Sequence, residues 1–561
     1  MKFRVILLAL CAFGLPYSLR AQNPVPLISP PLTPASVVPG SGSFTLTVHG
    51  TGFVKGTVVK WNGSTRTTTV VSESVLMAQI NANDVSVAGT AIVRAVNPAP
   101  GGGASNAAFL SVTNPISNVG WLGKSNWRAD GVQILAVDVN QDRKLDVLLA
   151  STYRNSLTVL LGNGDGTLQP AASYPAGRLP TAAITGDFNK DGSLDIALIN
   201  PFDDAVSVLM NHGDGSFAAP VSYGVGSGAG PAGLVAGDFN RDGILDVAVS
   251  LLSQQGIFML LGNGDGTFHN GSVSPAADLP DQLGAGDFNG DGKLDILVVN
   301  FNPFISVMLG NGDGTFQAAQ QFTATGYAPP EIADLNGDGK LDVLLAAGTG
   351  GIATLLGNGD GTLGPVKYYS FQRKPPGWLA LADFNGDGKL DVAAVGGGNK
   401  VTVLHGNGDG SFRPPFYDFA TGPSSFGVAA GDFNGDGKMD LVSSSNVTPA
   451  NISVLLQSAA VFSVTAVSFG GVKVGTSKSS TVTLTNAAAS ALTISSVSII
   501  GENPGVFSQT NDCGSSVPAG ASCTFTVVFA PTFAGPREAL LSVSDGSSSS
   551  PQRLALSGSG N

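Results

Sequence analysis

Apolar and polar positions recur along the middle of the chain in a fixed order. "GLVAGDF" (233–239) alternates, "LDVAVS" (245–250) is nearly all apolar, and "GIFMLLGNGDGTF" (256–268) runs from an apolar stretch into a Gly/Asn/Asp turn. Alternation and short apolar runs bounded by turn residues predict β-strands, and the turn predicts a hairpin into a fourth strand. Between the first two runs stands a polar nonapeptide. Its copies begin at Asp138, Asp187, Asp238, Asp287, Asp334, Asp383 and Asp432, spaced 47 to 51 residues apart. Four strands of about five or six residues with their turns fill about fifty residues. Seven units of that kind predict a repeat architecture, and four-stranded units in a ring of about four to eight are propeller blades.

The companion "GNGDGT" turn recurs around Asn163, Asn211, Asn263, Asn311, Asn358 and Asn407 and reads as the hairpin between third and fourth strands. The last unit reads "NISVLLQSAA" (451–460) and has no such turn. It therefore lacks its own outer strand. The stretch "NVGWLGKSNW" (118–127), ahead of the first acidic loop, is predicted to supply that strand and close the ring.

The flanks are patterned differently. Residues 24–113 contain "SVVPGSGSFTLTVHGTGF" and "VVKWNG", short alternating strands with Gly/Pro turns in which Phe53 and Trp61 read as core. Residues 462–559 contain "TVTLTN" and "CTFTVVFAPTFAG" in a similar style. At the start, Lys2 and Arg4 precede an apolar run, Val5 to Leu15, and Ala21 offers a small residue at a cut, so 1–21 reads as an export signal. That run is too short to span a bilayer. Cys11 follows Leu10, which is larger than a lipid-attachment signal normally tolerates. The expected fold is all-β: a seven-bladed propeller over 118–457 between two immunoglobulin-like β-sandwiches.

Composition agrees with many short strands: 76 Gly, 33 Pro and only 12% charged residues in a chain of 561. A net charge of -12 argues against nucleic acid as partner and for a cation. Past the export segment two cysteines remain, Cys513 and Cys523. Near neighbours in a chain bound for an oxidising compartment, they read as a structural disulfide.

The nonapeptide carries the chemistry. In the fourth copy, Asp287, Asn289, Asp291 and Asp295 are spaced to converge as oxygen ligands, the Lys293 carbonyl is a fifth, and Gly292 supplies a φ > 0 turn. The same set is Asp138, Asn140, Asp142 and Asp146 in the first copy, and Asp187, Asn189, Asp191 and Asp195 in the second. It is Asp238, Asn240, Asp242 and Asp246 in the third, and Asp334, Asn336, Asp338 and Asp342 in the fifth. The sixth has Asp383, Asn385, Asp387 and Asp391, and the seventh Asp432, Asn434, Asp436 and Asp440. Hard oxygen donors in a flexible loop suit Ca²⁺ rather than Zn²⁺ or copper, up to seven ions per chain. An EF-hand is excluded, because its twelfth position must be acidic. Here that position is Leu149, Leu198, Val249, Val298, Leu345, Ala394 or Ser443. Three Asp in each of seven loops make 21 of the 40 acidic residues, and seven Ca²⁺ would move the formal charge from -12 to +2. In the first loop Arg143 stands where the others have Gly, which makes that site the weakest expected.

With "GDFNGDGKLD" and "LLGNGDGTF" recurring in phase, residues 118–457 resemble the FG-GAP or VCBS repeats of seven-bladed propellers such as the integrin α-subunit head. The resemblance implies that the acidic loops join first and second strands and hold calcium. The N-terminal flank resembles an IPT/TIG domain, and the C-terminal flank the Hydin-like or choice-of-anchor domains. Both kinds are usually binding or spacing modules.

Catalytic signals are scarce. His49, His212, His269 and His405 make no metal-ligand spacing, and His212 and His405, beside hairpin turns, read as solvated. No nucleophile elbow, Walker loop or dinucleotide fingerprint is present. A glycosidase-like carboxylate pair could be drawn from Asp203, Asp204 or Asp281, and nothing distinguishes these from ordinary loop acids. No enzyme is expected. Function is placed on the ring face opposite the acidic loops, where turns differ from unit to unit. Tyr153, Arg154, Phe202, Phe304, Tyr327, Arg373 and Trp378 offer stacking faces and donors there. The expectation is an exported or cell-surface binding protein for carbohydrate or another surface protein. A structural envelope spacer is the alternative, and a polysaccharide-degrading enzyme the less favoured one.

Overall fold

A computed structural model describes residues 22–115, 121–127, 131, 133–348, 350–371, 377–396, 398–422, 424–445, 451–457, 460–464, 466–486, 491–518, 521–546 and 551–561. The export segment read at 1–21 lies outside these residues. Among the described residues the chain is all-β, its only helical turns being three short 3₁₀ segments. No helix among the described residues is long and apolar enough to cross a membrane.

Between Trp121 and Gln457 the strands form four-stranded antiparallel sheets, seven among the described residues, six in simple up-and-down order and the last completed by the strand Trp121–Trp127. We number them by their acidic loops. The third sheet, for example, is Pro231–Gly237, Asp246–Leu251, Gly256–Gly262 and Phe268–Pro275. Its second strand is buried at all six positions, because it lies between neighbouring sheets. This is why the strand reads as a nearly all-apolar run rather than an alternation.

Alternate side chains of one strand serve different neighbours, by the two-residue period of a strand. In the first sheet, Val147 and Leu149 pack with Val442, Val454 and Leu456 of the seventh, whereas Leu148 and Ala150 pack with Ile196 and Leu198 of the second. Seven cores of this kind follow one another between consecutive sheets, and the seventh-to-first core completes the circuit. At the rim, the Phe that ends a hairpin turn packs edge-on against the outer-strand Tyr of the preceding sheet, as in Tyr174–Phe217, Tyr223–Phe268 and Tyr369–Phe412. The result is a repeat β-propeller. Strand Trp121–Trp127 pairs antiparallel with Ile452–Gln457 as outer strand of the seventh sheet, Trp121 opposite Gln457.

Two further β units flank the ring. Before it, the sheet of Leu27–Thr33, Phe44–Thr51, Thr68–Ser72 and Val75–Ile80 faces a second sheet built on Val58–Trp61, Gly89–Asn97 and Ala108–Val112. Leu46, Val48, Phe53, Trp61, Leu76 and Val93 fill the space between. After it, a second two-sheet sandwich has Phe469, Val482, Phe525, Phe529 and Leu541 in its core. There Cys513 and Cys523 are joined by a disulfide.

Candidate metal centres

Each acidic loop links the first and second strands of its sheet and folds on its own backbone. In the third loop, Asp238 Oδ1 accepts the Asp242 N–H at 3.0 Å and Oδ2 the Gly243 N–H at 2.9 Å. Asn240 Oδ1 also accepts the Asp242 N–H, and Asp242 Oδ1 accepts the Ile244 N–H. These four bonds recur in every loop, from Asp138 to Asp432. Such nested turns draw the side chains at positions one, three and five to one side of the chain. The sixth position is left-handed throughout: Gly243 has φ 78°, and Arg143 is held at φ 67° without glycine's freedom. The fourth position is left-handed too, with Gln141, Lys190 and Arg241 all at φ 60°, which sequence reasoning had not required.

The closing aspartates do more than the spacing suggested. Asp246 Oδ2 accepts the Phe239 N–H at 3.1 Å and Oδ1 the Gly262 N–H at 2.9 Å, so one carboxylate latches the loop to the end of the third strand. Asp146, Asp195, Asp295, Asp342, Asp391 and Asp440 make the same two bonds. All seven are 0% exposed. Burial first, and the neighbouring loop carboxylates next, push Asp246 up to about 8 and Asp295 up to about 7. Asp146, Asp195 and Asp342 rise to about 6, and Asp440 rises strongly for the same reasons.

The donor set fits a hard divalent cation. Each loop carries three carboxylates and an amide oxygen, the donor types such an ion takes, and a carboxylate oxygen that accepts one N–H still has a lone pair for a metal. The side chains are not drawn in around an ion, since among the described residues the one trio of metal-ligating groups close to one another is Asp512, Cys513 and Cys523, whose cysteines are disulfide-bonded. Among the described residues only one closing aspartate has an ion-pair partner, Asp391, which meets His405. His405 corrects the reading of a solvated turn residue: it is 4% exposed and faces Asp391 and Asn385 inside the sixth loop. His212 and His269 are exposed, bonded to Ser216 and Asn263 of their own turns. The "GNGDGT" segments are self-contained turns. In the first, Asp165 Oδ1 accepts both the N–H and the hydroxyl of Thr167, and Asn163 donates to the same hydroxyl.

The N-terminal sandwich rests on the acidic-loop face. The Val25 N–H donates to Asp238 Oδ2 at 2.8 Å, the Thr90 hydroxyl to Asp432 Oδ2 at 2.8 Å, and the Ser36 hydroxyl to the Gly386 carbonyl at 3.2 Å. The Asp334 N–H donates to the Pro30 carbonyl, and Arg241 pairs with Glu73 at 3.3 Å. Phe109 packs into both the sixth-to-seventh and seventh-to-first cores, and Leu27 into the third-to-fourth. Burial pulls the Arg94 guanidinium below its ordinary pKa, against the field of Asp138 and Asp187. Sequence patterns carried no sign of this seat, which joins residues up to 350 positions apart.

On the opposite face, Tyr153, Phe202 and Tyr327 are 72%, 65% and 60% exposed, and Arg154 is exposed beside Tyr153. The Arg178 guanidinium stands 5.9 Å over the Phe202 ring. Phe304 is half-buried as the first residue of its strand; Phe301, three residues earlier in the same turn, is 71% exposed. Trp378 is half-buried and packs on the sixth-to-seventh core. Arg373 lies outside the described residues. Asp203 and Asp204 accept backbone N–H groups of Arg178, Gly228 and Gly230, and Asp281 accepts from Gln282, so each is engaged locally.

The FG-GAP-like repeat profile matches six overlapping segments, 138–198, 187–249, 249–298, 287–345, 334–394 and 383–443. The profile of Cep192 domain 4 matches 462–561. No curated protein matches the chain. Among solved structures, BBS1N in complex with ARL6DN is similar at 12% identity, covering 60% of this chain and 96% of that one, with a TM-score of 0.42. The periplasmic gluconolactonase of Pseudomonas aeruginosa is similar at 16% identity over 60% of this chain and 94% of that one, with a TM-score of 0.40. An auxiliary nutrient binding protein of Bacteroides ovatus is similar at 12% identity over 77% and 98%, with a TM-score of 0.35.

Proposed function

Since the chain belongs to the FG-GAP-like repeat family through residues 138–443, we propose that it is an exported, calcium-stabilised seven-bladed propeller that binds carbohydrate or a surface protein. The flanking sandwiches are read as immunoglobulin-like modules, and the acidic loops as Ca²⁺ sites with a structural role. One observation carries the binding reading. The acidic-loop face is covered at its third, sixth and seventh loops by the chain's own N-terminal sandwich, whereas the other face leaves Tyr153, Phe202, Phe301 and Tyr327 in solvent. Exposed aromatic rings beside Arg154 supply stacking faces and donors, the chemistry by which sugars and peptides are held.

The test is a glycan array and a surface-protein pull-down with the intact protein, repeated with Tyr153→Ala, Phe202→Ala and Tyr327→Ala combined. Binding to a defined ligand, lost in the triple variant while its melting transition stays in place, supports the reading. Binding retained by the triple variant moves the site elsewhere. No binding to any probe favours the spacer.

A further inference from the structure

We infer that the N-terminal sandwich reads the occupancy of the loops beneath it: cations in the third, sixth and seventh loops and the docked sandwich stabilise one another. This rests on the calcium reading above and adds a conformational consequence to it. The contacts fall on the first-position aspartates, the residues that would hold the ion. Asp238 Oδ2 takes the Val25 N–H and Asp432 Oδ2 the Thr90 hydroxyl, both at 2.8 Å. At the sixth loop the Ser36 hydroxyl reaches Gly386, next to Asn385. Donors of this kind fix the orientation of ligand carboxylates from outside the coordination shell.

Burial follows the same division. The first-position Asp238, Asp383 and Asp432 are 3%, 7% and 9% exposed, whereas the equivalent Asp138, Asp187, Asp287 and Asp334 of the other loops are half-buried. Covering a loop without a cation takes its carboxylates out of water with no counter-charge, and covering it with one does not. The sandwich must therefore dock more tightly on filled loops, and by linkage those loops must bind cations more tightly when covered.

Steric detail marks where the loops are pressed: the third and seventh at the sixth-position glycine, the sixth at Gly386, where a Cβ would stand 3.1 Å from Thr113 Cγ2, and not at Gly388, where it would meet nothing within 4 Å. A Cβ on Gly243 would stand 2.5 Å from the Asn23 carbonyl oxygen, and one on Gly437 2.4 Å from that of Val112. At Gly192, the equivalent position of the second loop, a Cβ would meet nothing within 4 Å. The loop that carries Arg143 at this position is likewise uncovered. Glycine is thus required twice at 243 and 437, once by the backbone angle and once by the sandwich.

That contrast supplies the experiment. Gly437→Ala and Gly192→Ala impose the same left-handed strain, φ 83° and 90°, but only the first collides with the sandwich. Calcium binding by calorimetry and hydrogen exchange over 22–37 and 89–113 are measured on the full chain, with Thr90→Val as a milder variant that deletes one donor. Expected are protection of both segments on calcium addition, and in Gly437→Ala and Thr90→Val a loss of that protection with about 10-fold weaker binding of part of the calcium. Gly192→Ala is expected to weaken one ion and leave sandwich exchange unchanged. Calcium binding with no change in sandwich exchange overturns the coupling while leaving the calcium reading intact; absence of calcium binding overturns both.

Discussion

The Nδ1 of His405 stands 3.1 Å from Oδ2 of Asp391 inside the sixth acidic loop, with both side chains enclosed. Equivalent positions in other sheets hold Leu161, Leu261, Leu309 and Leu356, which lie against the hairpin glycines of the following sheet, Gly215, Gly314, Gly361 and Gly410. The seventh sheet has no such hairpin, so residue 405 has no glycine to cover and turns toward its own loop. In the presence of a chelator, His405→Leu is expected to destabilise the protein by about 1.5–3 kcal/mol, the range for a lost hydrogen bond to a charged group. Saturating calcium should narrow the loss by giving Asp391 a cation as partner. Denaturant titrations with and without calcium measure both; an equal loss in the two would assign His405 a packing role alone.

The closing aspartates set a pH dependence. Their pKa values are raised, to about 8 for Asp246, about 7 for Asp295 and about 6 for Asp342, so the folded metal-free protein holds protons that the unfolded chain has released above about pH 4. The stabilisation is fully present below about pH 4 and is lost as pH rises through 6 to 8. Metal-free protein is therefore expected to melt at least about 5 °C lower at pH 8.5 than at pH 5.5, and calcium to abolish the difference. Cation binding at pH 6 to 7 must also release protons. Calorimetry in two buffers of different ionisation enthalpy detects the release.

Arg143 sits at φ 67° where six loops have glycine. A non-glycine residue in the left-handed region costs about 1–2 kcal/mol. Arg143→Gly removes that strain while adding freedom to the unfolded chain, so the expected net gain in stability is under about 1 kcal/mol, with tighter calcium binding at the first loop. Unchanged calcium stoichiometry and affinity would show that backbone strain does not limit this site.

The Cys513–Cys523 bond closes a short loop, ten residues apart in sequence, in the C-terminal sandwich. Cys513→Ser with Cys523→Ser is expected to cost that domain about 2–4 kcal/mol and to leave the calcium-dependent transition of the ring in place. Differential scanning calorimetry resolves the two transitions. Two free thiols in the protein from its own host would contradict the bond.

What could be read from residues alone was whatever repeats or alternates. Seven copies of one nonapeptide fixed the position of each loop, and the missing hairpin in "NISVLLQSAA" pointed to Trp121–Trp127 as the absent strand. Hidden were relationships with no period. His405 looks like a turn residue because its neighbours in sequence are turn residues; its environment is set by what the next sheet lacks. The latch made by Asp246 joins it to Gly262 across the sheet, and spacing within a nonapeptide cannot report on a partner sixteen positions away. The seat of the sandwich is legible least of all, since Thr90 and Asp432 meet only after both units have folded.

Because Trp121 pairs with Gln457, the ring is sealed by the earliest and latest strands of its own stretch of chain. A ribosome must finish nearly the whole repeat region before the seam can shut, and until then the first sheet offers one uncovered flank to its surroundings. Contacts so distant along the chain form slowly. Premature termination anywhere after the fourth unit would leave an arc with two sticky ends, a substrate for self-association or for proteases rather than a smaller version of the ring.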